Sequence, residues 1–374
     1  MVSYIYKGLI LVSSLLAAAL PASADPGTEM FQIRRVITGL DQPWAVAPLP
    51  DGSRLITLRE GTLLYHDGAS VRTVAGLPPI AAAGQGGLLD LLPHPGFEEN
   101  RLIYFTFSEG PAGGQGTSVA RGVFRAGPNP RLANWQVIFS GNNRTGGGLH
   151  FGSRLAFGPD GLLYVTVGER GERDRAQDPF DHGGKVIRIR DDGSIPADNP
   201  FGANRRGDPA VYTLGHRNAQ GLALEPGSDR IWLHEHGPRG GDEVNLLKPG
   251  ANYGWPVITY GREYSGRTVG EGLTARQGME QPEVYWDPSI APSGMAFYHG
   301  DRFPLWKGDL FVGALAGRQL RRLDMENGRI TGQEVIIDGS LGRIRDVRTG
   351  PDGYLYVLTD GEEASLYRLE PSGE

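Results

Sequence analysis

Residues 351–361 have the sequence Pro-Asp-Gly-Tyr-Leu-Tyr-Val-Leu-Thr-Asp-Gly, a tight turn followed by a run of alternating residues. Proline and glycine supply the backbone angles of a turn, and tyrosine, valine and leucine at a period of two are typical of a half-buried strand. Pro-Asp-Gly also precedes a strand-like run at 50–52 and at 159–161, and weaker copies begin at 94, 225 and 303. The chain therefore holds six copies of one turn-and-strand unit.

Six short units predict an all-β fold, a six-bladed β-propeller. One small sheet cannot bury both of its faces, so neighbouring blades cover them. Hardly any stretch has a long apolar period of 3.6 residues, which argues against a helical fold. A β-sandwich pair is the alternative, but six copies of one unit fit it poorly. Two polar stretches rich in turn residues, 169–208 and 260–281, are expected to be functional loops.

The first 24 residues have the pattern of a secretory signal peptide. Lys7 precedes the apolar run 8–20, and Ala22-Ser23-Ala24 forms a small-residue cleavage pattern before Asp25. Such a segment is too short and wrongly flanked for a membrane span. We therefore expect a periplasmic or secreted protein whose propeller domain covers residues 25–374, with no insertion into a membrane.

Charge and cysteine content exclude several classes of partner. Removal of residues 1–24 takes away one lysine and no acid, which changes the net charge from -6 to -7. An acidic chain without basic runs argues against nucleic acid and anionic membranes as partners. The absence of cysteine excludes disulfides, thiolate metal sites and c-type haem on this chain.

Three polar groups stand beside strand-like runs. His150 follows three glycines and suits a general base, or else a loop histidine bonded to a carbonyl. Arg217-Asn218 suits an anionic or carbonyl-bearing ligand, or else a structural bridge between blades. Arg343 and Arg345 point the same way at a period of two, which calls for an anion or acids unless the face is solvated.

Residues 232–243 are dense in metal-binding groups. His234 and His236 point the same way on a strand, which is compatible with zinc or iron, but two ligands do not make a site. Carbonyls of the turn at 237–238 and the carboxylates of Asp242 and Glu243 favour Ca²⁺ instead. No nucleophile elbow and no dinucleotide fingerprint in a strand-to-helix context occur, so oxidation would need another cofactor.

Six stretches, taken in order, carry a family resemblance: 84–89, 150–154, 215–218, 237–238 with 242–243, 252–256 and 343–347. Over roughly residues 30–370 the chain resembles the soluble quinoprotein aldose sugar dehydrogenases of the glucose/sorbosone dehydrogenase family. The resemblance implies a six-bladed propeller that uses pyrroloquinoline quinone (PQQ) and calcium. It also implies oxidation of aldose sugars to lactones and an external electron acceptor such as a quinone, a dye or a cytochrome.

The resemblance also implies roles for single residues. His150 takes the proton of the anomeric hydroxyl while hydride passes from sugar C1 to quinone C5, and Arg217 and Asn218 hold the reactive carbonyl. Arg343 and Arg345 pair with cofactor carboxylates. The other implied positions are Gln85 at the reacting edge, the carbonyls of Gly237 and Pro238 on the cofactor's calcium, Glu243 and the Tyr253 carbonyl on a second calcium, and Tyr264, Trp286 and Ala316 beside the cofactor.

Two positions depart from the glucose dehydrogenase branch of that family. Leu149 stands where that branch has an aspartate before the base, so the group that orients the imidazole is unassigned. The stretch 313–318, which contains Ala316, has no lysine for the cofactor. A calcium-dependent lactonase and a non-catalytic carbohydrate-binding propeller remain the alternative functions. The protein is expected to be a monomer or a homodimer.

Overall fold

A computed structural model describes residues 30–111, 114–202 and 206–373, and they form six four-stranded antiparallel sheets. The six-bladed β-propeller is thereby confirmed. The predicted signal peptide lies outside the described residues. Among the helices of the part described, none has the length and apolar character needed to cross a bilayer.

Each blade takes four strands in order from the central channel outward. The blades are β2 (Pro43–Pro48), β3 (Arg54–Leu58), β4 (Thr62–His66) and β5 (Val71–Thr73); β6 (Leu88–Pro93), β7 (Leu102–Glu109), β8 (Gly116–Arg125) and β9 (Arg131–Ser140); β10 (Gly152–Phe157), β11 (Leu163–Val167), β12 (Lys185–Ile189) and β13 (Val211–Leu214); β14 (Ala219–Leu224), β15 (Ile231–Glu235), β16 (Asp242–Leu246) and β17 (Val284–Trp286); β18 (Pro292–Phe297), β19 (Leu310–Ala314), β20 (Gln319–Glu326) and β21 (Arg329–Asp338); and β22 (Ile344–Thr349), β23 (Leu355–Thr359), β24 (Ala364–Pro371) and β1 (Phe31–Leu40). Short helical turns are α1 (Phe97–Asn100), Arg173–Gln177 and Pro304–Trp306.

The six turn-and-strand units of the sequence occupy one equivalent place in every blade. Each turn joins the innermost strand to the second strand, and each strand-like run forms that second strand, as β3, β11 and β23 show. Residues 169–208 were expected to be loop, and this is wrong in part. The apolar residues of β12 complete a blade in the middle of that stretch, because they pair with β11 and β13.

The ring closes with a strand from the start of the chain. β1 pairs antiparallel with β24, from Phe31 opposite Pro371 to Leu40 opposite Ala364. The last blade therefore joins both ends of the described chain. Apolar side chains fill the spaces between blades. For example, Trp232 of the fourth blade packs in one cluster with Phe297 and Val312 of the fifth.

Candidate active site

The predicted site residues lie at one end of the central channel. His150 precedes the innermost strand β10, Arg217 and Asn218 precede β14, and Arg345 is the second residue of β22. Strands alternate in direction within a blade, so the start of each innermost strand lies beside the end of the second strand. The six turns that repeat in the sequence lie at the opposite end. The topology alone therefore gathers these residues at one mouth of the channel.

Several contacts tie the site residues together. The Asn218 side-chain oxygen accepts from the Gly152 backbone N–H at 3.1 Å, just after His150. The Glu169 N–H donates to the Arg217 carbonyl at 3.0 Å. Burial of the imidazole lowers the pKa of His236 to about 3, and the positive charges of Arg217 and Arg345 lower it further. Arg217 and Arg345 are therefore both near the His236 imidazole at the channel mouth.

The group that orients His150 is Glu169, which the sequence analysis did not identify. The Nδ1 atom of His150 lies 2.5 Å from Oε2 of Glu169, a carboxylate only 2% exposed. The same oxygen accepts from the Gly171 N–H at 2.9 Å. An ionised carboxylate can only accept, so Nδ1 carries the proton and Nε2 presents its lone pair. No described residue donates a hydrogen bond to that Nε2.

The pairing of strands β10 and β11 indicates Glu169 as the partner of His150. Gly152 of β10 lies opposite Val167 of β11. Continuing an antiparallel register by two residues places position 150 opposite position 169. Extending the other registers in the same way, beyond the last paired residues of their blades, places Arg217 opposite Gly237 and Arg343 opposite Asp360. Register within a blade thus predicts Glu169 as the partner of His150, Gly237 as that of Arg217 and Asp360 as that of Arg343, once both strands are known.

Arg217 is a buried guanidinium aimed at carbonyls rather than at an acid. Its Nη1 atom lies 2.9 Å from the Gly237 carbonyl oxygen, and its Cζ lies 5.4 Å from the centre of the Trp255 ring. Its Nε atom is buried without a hydrogen-bond partner. Its backbone N–H donates to Glu235 at 2.6 Å, and that carboxylate also accepts from His216. Within the described residues the Arg217 side chain forms no ion pair.

Arg343 and Arg345 share one carboxylate. Nε of Arg343 lies 2.8 Å from Asp360, and Nη2 of Arg345 lies 3.0 Å from its other oxygen. Two guanidinium groups against one carboxylate leave one positive charge in excess. The two arginines hold the pKa of Asp360 below its usual range although its burial opposes this, so Asp360 stays ionised. Arg217, which has no acid partner among the described residues, adds a further guanidinium at the same mouth.

Beside Arg217, two glutamates face a cavity of about 10 Å³, which is the room of one water or one ion. Glu235, Glu243 and Tyr253 line it, together with Gly237. Burial, and then the charge of Glu235, raises the pKa of Glu243 to about 8. Two buried carboxylates around one small space fit a cation. The described residues hold no cluster of three or more His, Asp or Glu suited to a metal, so any ion here also needs carbonyl oxygens.

The zinc or iron interpretation of His234 and His236 finds no support in these contacts. His234 is fully buried with neither ring nitrogen bonded, whereas Nε2 of His236 lies 2.6 Å from the Pro292 carbonyl. Asp242 is not free to bind a metal either. Its two oxygens accept from Gly237 at 2.9 Å and from Ile290 at 2.7 Å, which fixes two loops.

The remaining predicted residues have different surroundings. Gln85 is exposed and its side-chain oxygen accepts from the His150 N–H at 2.9 Å, so it lies beside His150. Ala316 is exposed, and its N–H donates to the Ile290 carbonyl. Tyr264 is 72% exposed in the loop before β17. The Trp286 ring packs in the core between the fourth and fifth blades, with its N–H donated to Gln333. Cofactor contacts at Tyr264, Trp286 and Ala316 stay predictions.

Comparison with known proteins agrees with this geometry. The model of the glucose/sorbosone dehydrogenase family matches residues 40–368. The aldose sugar dehydrogenase YliI of Escherichia coli is 41% identical, over 99% of this chain and 98% of its own. A glucose dehydrogenase of known structure is 44% identical, with a TM-score of 0.87 over 91% of this chain and all of its own. The PQQ-bound aldose sugar dehydrogenase of Streptomyces coelicolor is 29% identical, with a TM-score of 0.77 over 93% of this chain and all of its own.

Proposed function

Because the chain belongs to the glucose/sorbosone dehydrogenase family and is a sugar dehydrogenase, we propose that it oxidises aldoses at C1 to lactones with PQQ and calcium. The sugar loses two electrons in this reaction, and an external acceptor finally receives them. The observation that carries the proposal is the His150–Glu169 pair, which lies beside Arg217 at the same channel mouth as Arg345. A lactonase or a sugar-binding propeller would not require this convergence of guanidinium groups.

The charges at the mouth fit a flat acid with several carboxylates. Arg343 and Arg345 carry two positive charges against the one negative charge of Asp360, and Arg217 has a buried Nε without a partner. Arginine recognises carboxylates through paired N–H groups, so Arg343 and Arg345 would hold the carboxylates of the quinone and Arg217 its reactive carbonyl. When bound there, the quinone supplies the two-electron oxidant. Asn218 would add its free side-chain N–H₂ group, since its oxygen is already used by Gly152.

His150 is the proposed base for the sugar hydroxyl. Its Nε2 takes the C1 hydroxyl proton as the C1–H bond breaks, and the resulting imidazolium is stabilised by Glu169 at Nδ1. The carboxylate also prevents the imidazole from adopting the tautomer that would block Nε2. Both groups are nearly excluded from water, which strengthens their interaction.

Two calcium ions would bind through the residues expected from the sequence. The carbonyls of Gly237 and Pro238 would hold one ion beside the quinone. Glu243 and the Tyr253 carbonyl would hold the other, and the small cavity adds Glu235 to this second site. A cation there would remove the repulsion between two buried carboxylates. Export through a signal peptide over residues 1–24 is part of the same proposal, and N-terminal sequencing of the mature protein tests it.

Reconstitution tests the activity. The apoprotein, mixed with PQQ and Ca²⁺, should reduce an artificial acceptor when an aldose is supplied. His150→Ala should abolish turnover while His299→Ala, at an exposed histidine near the far end of the channel, leaves it unchanged. Wild-type protein that binds the quinone and oxidises no aldose would overturn the proposal. Hydrolysis of a lactone without quinone would favour the lactonase instead.

A further inference from the structure

The segment that carries His150 lacks side chains to hold it in place. It begins with Gly146-Gly147-Gly148, and only Leu149 separates these glycines from the base. Glycines lose more conformational freedom on folding than other residues. His150 itself has a positive φ of 50°, a strained conformation for a residue with a side chain. Some other part of the protein must fix this backbone.

Two residues use the backbone groups of this segment. From one side, Gln85 donates its N–H to the Gly148 carbonyl at 2.8 Å and accepts from the His150 N–H at 2.9 Å. This approach needs glycine at 84, because a Cβ there would lie 2.5 Å from the Gly148 oxygen. From the other side, the Arg170 guanidinium donates to the carbonyls of Gly147 and Leu149.

Arg170 is unusual for a charged residue. It is 1% exposed, and its Cζ lies 3.4 Å from the centre of the Phe151 ring. Within the described part of the chain it forms no ion pair with an acid. Its own backbone N–H donates to the His150 carbonyl at 3.3 Å. Burial of a charge without an acid partner is costly, so the hydrogen bonds of the guanidinium to the two carbonyls must offset that cost.

We propose that Arg170 is a positioning residue for the base, closing a clamp with Gln85 around residues 147–150. The guanidinium spans two carbonyls of the segment, stacks on Phe151, and lies next in sequence to the Glu169 carboxylate that orients the imidazole. Arg170 thus fixes the position of the His150 backbone, and Glu169 fixes the orientation of the imidazole ring. The inference rests on the proposed role of His150 as base.

The clamp matters because a general base acts only within hydrogen-bond reach of the proton it takes. A displacement of about 1 Å costs about 100-fold in rate. A lysine at 170 has one ammonium group and cannot reproduce the planar fork that spans both carbonyls. Loss of the guanidinium should therefore lower turnover and leave sugar binding unaffected.

The test compares Arg170→Ala and Arg170→Lys with wild type in the full chain reconstituted with PQQ and Ca²⁺. We expect kcat of Arg170→Ala to fall about 100-fold with KM unchanged. The kcat of Arg170→Lys should lie between those of Arg170→Ala and wild type. Added guanidinium ion should restore part of the kcat that Arg170→Ala has lost. Arg54→Ala is the matched control. It removes a buried guanidinium that lies 4.8 Å over the Tyr356 ring near the other end of the propeller, and should lower stability without changing kcat.

Hydrogen exchange supplies a readout that needs no activity. In the apoprotein, Arg170→Ala and Arg170→Lys should speed amide exchange selectively in residues 146–151. Unchanged exchange there, or a wild-type kcat in Arg170→Ala, would overturn the clamp. Should Arg170→Ala not fold, Arg170→Lys carries both readouts. If wild type itself oxidises no aldose, the proposed function fails, while the exchange experiment still decides whether Arg170 holds the segment.

Discussion

The imidazole of His150 depends on a carboxylate 19 residues further along the chain. Glu169→Gln should lower kcat about 1,000-fold, because an amide can present its N–H₂ group to Nδ1 and so favour the tautomer in which Nε2 carries the proton. Steady-state kinetics on the reconstituted protein measure the effect. Glu172→Gln in the same loop, where the side chain is about half exposed, is the control and should behave as wild type. A kcat within twofold of wild type in Glu169→Gln would contradict the assignment.

Lys185 holds the loop that contains Glu169. Its buried ammonium donates to the carbonyls of Arg175 at 2.8 Å and Gly183 at 2.7 Å, and burial lowers its pKa to about 7. An unfolded lysine keeps its proton to about pH 10.4. Between about pH 7 and pH 10 the unfolded state therefore binds more protons than the folded state, and the free energy of unfolding rises with pH.

Urea unfolding from pH 7 to pH 10 measures this term. The free energy of unfolding should rise more steeply with pH in wild type than in Lys185→Met, since all other titrating groups are common to both proteins. Parallel curves for the two proteins would show that Lys185 remains charged in the folded state, held by its carbonyl partners.

At the scale of the element, every innermost strand has a register shift near its start. The shift falls between Gly152 and Leu155 in β10, between Ala219 and Gly221 in β14, and between Ile344 and Asp346 in β22. Bulges of this kind redirect side chains at the end of a sheet. They separate the residues that face the channel mouth from those that continue into the channel.

At Gly221 in β14 there is no space for a side chain. A Cβ at 221 would lie 2.2 Å from Nε2 of His234, which is fully buried and cannot move aside. Gly221→Ala should lower the free energy of unfolding by about 1–3 kcal/mol. Gly114→Ala is the control, since its Cβ would meet nothing nearer than 3.7 Å. Equal stability of the two variants in urea unfolding would contradict this account.

For the whole molecule, four buried charges join the blades across the axis. Nη1 of Arg154 in the third blade lies 3.0 Å from Asp90 of the second and 2.9 Å from Asp346 of the sixth. Arg348 binds the same two carboxylates. Arg154 also donates to a carbonyl of the fourth blade and lies over Trp44 of the first. One side chain thus contacts four other blades.

Removal of Arg154 should affect the entire ring. Arg154→Met leaves two buried carboxylates facing Arg348 alone, and we expect a loss of about 3–5 kcal/mol in the free energy of unfolding. Arg121→Met removes a partly exposed pair with Asp191 and should cost at most about 1 kcal/mol. Thermal and urea unfolding of the two variants measure these losses in the free energy of unfolding. A small loss in Arg154→Met would show that the axial network contributes little.

The blades could be predicted from the sequence, because a turn and an alternating strand depend on residues adjacent in the chain. Its motifs also identified His150, Arg217 and Arg345, which the structure brings to one mouth. Other features could be found in the folded protein alone: β1 completes the last blade, Glu169 and Asp360 are the partners of His150 and Arg343, and Arg154 spans the axis. Those contacts depend on which strands pair and in what register, and that follows from closing the ring rather than from any local pattern.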